Sequence, residues 1–419
     1  MPDWLVATIA ILGPTLAALG IWLGRKSRTT ARHAASVSTF NSTRRYLKDH
    51  ISDLIKSALA QYGNLREDTE IPLLTRPKWI PPQPIPLFEV ALLHSRIQPG
   101  MEISQALSKL RRYWPIQNSG ERLDSYHNAV ADYDKPENWF NGASYRLLHV
   151  SFEGNTPTLT FTDDWYWGML DTTEVLSYEA ALRHNRSNGR KIEGRYRRWL
   201  HDPFDLRRRC AVPGIDALTI RNGQDGATFY VHRRGTAVAT AMNLTCTIPG
   251  GEFQPSDDSH PARKADLDLW KSIVREYAEE FLGVEEARER MGAPIDYLNE
   301  EPYASLSRAR QQKRVTVHFL GIGLDPLTWK PTILTTCVFN PDCFDDIFGG
   351  MIKKNKEGML ELPTRSPKSG VFQGWPLTAE TVSGYINNSE VLPATRAGLV
   401  LVWRFRERLG LNTPPRIPW

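Results

Sequence analysis

The sequence predicts an α+β fold, on three observations. Strand-like runs gather between about residues 211 and 251, and one strongly amphipathic helix follows at about 268–282. Two further apolar runs, 313–324 and 332–340, then precede a last helix or strand pattern at 394–410. This mixed-sheet domain with packed helices is expected to be preceded by a single transmembrane helix and an α/β middle domain. The division reads as 1–28 (span and basic flank), 29–205 (middle region), 206–411 (mixed-sheet domain) and 412–419 (proline-rich tail).

The amino-terminal element rests on "WLVATIAILGPTLAALGIWLG" (4–24), which carries no charge. A helix of that length spans about 30 Å, the hydrocarbon thickness of a bilayer. Trp4 and Trp22 stand near its ends, where indole rings favour the interface. Arg25, Lys26, Arg28 and Arg32 follow at once, which orients the carboxy-terminal side to the cytoplasm. The expectation is a single-pass protein of the cell membrane, with the bulk of the chain cytoplasmic.

Residues 30–64 have helical spacing and stop at Gly63, and "TRPKWIPPQPIPLF" (75–88) is too proline-rich for a helix and reads as a linker or strap. "SYRLLHVSF" and "TPTLTF" flank the turn 153–155, a hairpin signal, and 171–185 reads as a helix. The aromatic cluster 165–170 reads as core. In the carboxy-terminal half, "IDALTIRNG" and "ATFYVHRRG" flank the turn 224–226, and "ATAMNLTCTIPGG" ends on Gly250 and Gly251. A polar loop, 252–265, leads to the helix.

The 419 residues carry a formal charge of +5, too modest at this length to indicate nucleic acid. The basic clusters 195–200 and 205–210 read as solvated faces, with an anionic ligand or lipid headgroups as the other reading. Cys210, Cys246, Cys337 and Cys343 form no CxxC pair and no zinc spacing.

Chemistry concentrates in "REYAEEFLG" (275–283). Asp268 caps this helix, and Leu269, Trp270, Ile273, Val274, Tyr277, Ala278, Phe281 and Leu282 form its apolar stripe. Glu276, Glu279 and Glu280 fall on about a 100° arc opposite. Like charges four apart on a helix repel by a few tenths of a kcal/mol. Helix physics therefore permits the cluster without explaining it, whereas a hard divalent cation explains it.

"REYAEE" resembles the core of the Nudix box, the loop–helix–loop of hydrolases that cut nucleoside diphosphates linked to another moiety. The resemblance covers about residues 211–410. It implies Glu276, Glu279 and Glu280 as ligands of Mg²⁺ or Mn²⁺, and Arg275 as the arginine that orients a glutamate by ion pairing. It also implies Gly250 or Gly251 as the glycine that turns the loop and offers a carbonyl near the metal. The segment from Gly251 to Arg275 is ten residues longer than in the family's box, with Asp257 standing where the family has glutamate. Two residues, Phe281 and Leu282, separate Glu280 from Gly283 where the family has one. A further acidic ligand is sought among Glu357, Glu361 and Asp346. His232, Arg233, Arg234 and Lys313 steady phosphates if they face the same cleft, and are otherwise strand-end residues.

The function implied is a membrane-anchored, Mg²⁺-dependent hydrolase of a nucleotide-like small molecule. The alternatives are a catalytically weak nucleotide-binding sensor or effector, and a membrane scaffold.

Overall fold

The computed structural model describes residues 3–96, 101–137, 139–154, 156–235, 243–285, 294–355, 358–363 and 372–413, with backbone alone at 3–25, 101–103 and 106. Thirteen strands among these residues form three sheets. They are β1 (Ile85–Pro86), β2 (Ala91–His94), β3 (Ala143–Glu153), β4 (Thr156–Trp165), β5 (Gly214–Gly223), β6 (Gly226–Phe229), β7 (Val231–Arg234), β8 (Thr245–Thr247), β9 (Gly250–Glu252), β10 (Val315–Leu324), β11 (Pro331–Phe339), β12 (Gly358–Glu361) and β13 (Trp375–Pro376).

The largest sheet runs β1–β10–β11–β5–β6–β13. β5 and β11 are parallel, and the other pairs in it are antiparallel. β9 pairs with the first residues of β5, setting Gly250 opposite Asp216 and Gly251 opposite Ile215. β12–β7–β8 and β2–β4–β3 form two smaller sheets. The proline-rich strap closes the outer edge of β10: Leu74 and Leu324 exchange backbone hydrogen bonds of 2.9 Å, and β1 pairs with Phe319 and His318. Covering an edge in this way removes a template for unwanted strand pairing.

Strand alternation splits the large sheet between two cores. Ile215 and Ala217 of β5 face the main core, which holds Ile273, Val274 and Tyr277 of the glutamate helix. Leu218 and Ile220 face a second core against the helix Pro393–Phe405. Both faces are therefore covered, which is why β11 reads as a near-continuous apolar run rather than an alternating one. The main core continues without a break into the middle region, through Tyr145, Phe161, Leu176 and Tyr178, and on to Phe40.

Among the described residues the architecture is mixed α/β, with several sheets and about a dozen helices, and not the expected α+β with a leading span. Helices that sequence periodicity does not mark, such as Tyr303–Gln311 and Pro341–Phe348, lie between the strands. Among the described residues no helix is long and apolar enough to cross a membrane. The side chains of the apolar run 4–24 lie outside the described residues. Its backbone belongs to one helix, Asp3–Asp49, about 70 Å long at 1.5 Å per residue. The basic flank is itself helical and carries the helix into the body. There Phe40, Thr43, Arg44 and Leu47 are buried. Arg44 donates to Asp134 at 2.7 Å and to the Tyr126 hydroxyl at 2.7 Å. The carboxy-terminal tail from residue 414 lies outside the described residues.

Candidate functional site

The glutamate helix begins where the sequence indicates. Asp268 accepts the Lys271 N–H at 3.1 Å, and the α-helix runs Leu269–Glu276. From Tyr277 to Phe281 the chain continues as a π turn, and Gly283 then ends it with φ +69°. A π turn widens the helix by one residue and shifts the side chains that follow it around the axis. The apolar stripe stays buried, and the three glutamates do not share one wet arc. Glu276 and Glu279 are half-buried in a cleft. Glu280 is 4% exposed, and its Oε2 accepts the Gly250 N–H at 2.9 Å. Glu280 Oε1 lies 3.9 Å from His232 Nδ1. Burial, then Arg234, lowers the His232 pKa to about 4, so this contact is not an ion pair at neutral pH.

The opposite partner of the helix is β9. A Cβ added at Gly251 would lie 2.1 Å from Glu276 Oε1. The carboxylate thus occupies space that only glycine leaves open, and helix and strand interlock through Gly251–Glu276 and Gly250–Glu280. The cleft beside them has a volume of about 280 Å³. Asp216, Glu252, Glu276 and Glu279 line it, joined by Glu174 and Asp325; its cations are Arg234 and Lys330, and Lys330 pairs with Glu252. Ile51, Ile55, Phe140, Leu327 and Leu392 give it an apolar portion. A cleft combining apolar lining with a few convergent polar groups is the usual form of a small-molecule site.

The acids do not titrate alike. Burial pushes the Glu174 carboxyl up to about 7, against the pull of Lys330 and with a smaller push from Asp325 and Glu252. Burial likewise raises Asp216 to about 6, and it raises Asp325. The folded protein therefore holds a proton on Glu174 that the unfolded chain, with an ordinary value of 4.5, has released. The stability this provides is fully present below pH 4.5 and is lost as pH rises through about 7. Between about pH 5 and 8, the denaturation midpoint of the wild type is expected to fall relative to that of Glu174→Gln. Parallel midpoint-against-pH curves for the two proteins would contradict this.

Arg275 holds the inserted segment to the helix. It is buried, and it donates to the Tyr297 hydroxyl at 2.6 Å and to the Gln254 carbonyl at 2.5 Å, with Asp266 at 3.6 Å. Asp266 in turn accepts from the Ser256 N–H at 2.9 Å. The arginine therefore clamps the long segment between Gly251 and the helix. Burial works to lower its pKa, but Tyr297, Asp266 and then Glu276 outweigh burial and raise it.

Of the proposed phosphate contacts, Arg234 lines the cleft. Arg233 pairs with Glu390 at 3.0 Å, and Lys313 is exposed on a turn. Of the further acids, Asp346 pairs with Arg314 at 3.0 Å on the surface, Glu361 accepts from Thr245 Oγ1 at 2.9 Å, and Glu357 lies outside the described residues. Asp257 accepts the Ser259 N–H at 2.6 Å. Glu174, Asp216, Glu252, Asp325 and Lys330 are the cleft residues that sequence reasoning missed. Asp216 left a signal, a carboxylate within an apolar strand run, and Glu252 directly follows the double glycine.

No family model matches the chain, and no curated protein matches its sequence. Among the described residues no three or more His, Cys, Asp or Glu side chains form a group that could hold a metal ion. Mg²⁺ generally takes one or two carboxylates, keeps several waters and completes its shell with substrate phosphates. The Glu276–Gly251 contact and the half-buried Glu279 supply hard oxygens on one wall, and Glu280 is committed to Gly250 beneath them.

Proposed function

We propose that the cleft is the site of a Nudix-type pyrophosphohydrolase that cleaves nucleoside diphosphates linked to another moiety, with Mg²⁺ or Mn²⁺ as cofactor. The observation that carries this reading is the interlock of the glutamate helix with the double-glycine strand on a cleft wall. Two of the three departures from the family's box find a physical account. The π turn takes up the additional residue before Gly283. The ten-residue insertion folds partly into the helix His260–Ala265 and is tied back by Asp266 and Arg275.

Glu276 and Glu279 would hold the cation, with carbonyl oxygen from Gly250 or Gly251. When bound, it offsets charge on the diphosphate oxygens and lowers the pKa of an attacking water. Lys330 and Arg234 orient phosphate oxygens as point charge and fork. Glu174, titrating near neutrality, accepts a proton at its carboxylate within the same cleft. The apolar portion excludes water from the leaving group.

With Mg²⁺ and a panel of nucleoside-diphosphate-linked compounds, the purified full-length chain is expected to release nucleoside monophosphate, and chelation with EDTA to stop that release. No product from any compound counts against turnover. A second reading, a nucleotide sensor, is favoured by one observation: the cleft is lined by the helix Ile51–Gln61 at Ile51 and Ile55 and by Glu174 and Ser177, as well as by the large sheet. Calorimetric binding of a nucleotide without product supports it, and rapid turnover of the same ligand opposes it.

A further inference from the structure

A second concavity, of about 400 Å³, lies in the middle region and shares no lining residue with the cleft. Six arginines line it: Arg112, Arg122, Arg183, Arg186, Arg195 and Arg198. Among the described residues no carboxylate does. They come from separate elements. Arg183 and Arg186 end the helix Val175–Arg186, Arg195 and Arg198 belong to the helix Arg195–Leu200, Arg112 sits in the turn Arg111–Tyr113, and Arg122 lies in a loop.

Several arginines elsewhere in the molecule face a carboxylate, as in Arg44–Asp134, Arg221–Asp345, Arg308–Glu301 and Arg314–Asp346. Among the described residues none of the six forms an ion pair. Arg122 donates to the Trp114 carbonyl at 2.5 Å, and Arg112 lies over the Tyr113 ring with its carbon 4.9 Å from the centroid. These contacts aim the two side chains without cancelling their charge. Glu179, the buried acid behind the pocket, accepts from the Tyr113 hydroxyl and from the backbone N–H groups of Tyr196 and Arg197. Its lone pairs face those donors rather than the arginines.

A helix C-terminus accounts for the charge of Arg183 and Arg186. It does not account for four more guanidinium groups brought to the same hollow from other elements, where like charges repel. A ligand with several negative oxygens does account for them, since each guanidinium presents a planar fork that matches two phosphate oxygens. The hollow has the size of a small-molecule site, which favours a compact polyanion over an extended strand. We propose that this pocket binds a small ligand bearing two or more adjacent phosphate groups. The proposal is independent of the hydrolase reading. The two sites share one element, because the helix that carries Arg183 and Arg186 here places Ser177 in the cleft.

Calorimetric titration of the full chain with sodium tripolyphosphate, in EDTA so that a cation-dependent cleft is silent, tests it. The wild type is expected to bind one equivalent saturably. Arg195→Gln/Arg198→Gln, at exposed positions, is expected to bind at least 10-fold more weakly, and so is Arg112→Gln on a different element. Glu279→Gln and the exposed control Lys353→Gln/Lys354→Gln are expected to bind like the wild type. Equal weakening in the lysine control means general attraction and overturns the proposal, as does absence of saturable binding. A parallel arm with ATP identifies the source of the phosphates: tighter binding than tripolyphosphate indicates a nucleotide, and equal binding indicates the phosphate chain alone. An oligonucleotide that binds where tripolyphosphate does not also overturns it.

Discussion

Glu279→Gln is expected to lower turnover by the proposed hydrolase by at least about 10²-fold, and Glu276→Gln to do the same. The substitution keeps the shape of the side chain and removes its charge. Both positions are half-buried on the cleft wall and neither fills the core. Stability should therefore change by no more than about 0.5 kcal/mol, and a denaturation midpoint measured beside the kinetics separates lost chemistry from lost fold. Gly251→Ala attacks the same arrangement from the strand. Its Cβ would arrive 2.1 Å from Glu276 Oε1. The obstructing atom ends a flexible side chain, and Gly251 does not have positive φ, so the backbone accepts alanine and the carboxylate swings away. A displaced ligand about 1 Å from its working position costs on the order of 10²-fold in rate. Glu280→Gln behaves differently, because its carboxylate is buried on the Gly250 N–H: the midpoint falls together with the activity. Full activity in both Glu276→Gln and Glu279→Gln would remove the glutamate helix from the site.

The parts of this molecule that were legible in sequence are those written in local pattern. The hairpin of β3 and β4, the pair β5 and β6 around 224–226, and the glutamate helix with its Asp268 cap all follow from period and turn chemistry. The continuous helix Asp3–Asp49 was not legible, because an apolar run and a basic run look like two segments although the backbone joins them. Nor was the π turn, which leaves no compositional mark yet decides that Glu280 points inward while Glu279 reaches the cleft. Glu174 joins the site across more than a hundred residues of chain, through packing of the middle region onto the sheet, and Lys330 joins it from the residue before β11. No periodicity reports contacts of that range. The bonds of Arg275 to Tyr297 and Gln254, and its approach to Asp266, were not legible either, because they run to loop residues that no local pattern marks.

Glu179→Ala is expected to be the most destabilising single change in the middle region. This carboxylate has no solvent exposure, and it accepts the Tyr196 N–H at 2.8 Å, the Arg197 N–H at 2.9 Å and the Tyr113 hydroxyl at 2.7 Å. It thereby satisfies the first amides of the helix Arg195–Leu200, which have no partner within their own helix. Truncation strands three donors in the interior, each at about 1–3 kcal/mol, for a combined loss of roughly 3–5 kcal/mol. The helix held in this way sets Arg197, which is buried over the Trp329 ring and donates to the carbonyls of Leu176 and Leu327. Leu327 lines the cleft, so loosening the helix reaches the candidate site as well. Gly194→Ala probes the same joint independently: its Cβ would fall 2.0 Å from Glu179 Cδ. This carboxylate is fixed by three hydrogen bonds and cannot swing aside, so the cost should approach that of removing it. Urea midpoints followed by tryptophan fluorescence should fall for both variants, and hydrogen exchange should accelerate first at residues 195–200. Midpoints at the wild-type value would mean that the helix is held by its apolar contacts alone, with Tyr196 and Leu200 in the core sufficient to anchor it.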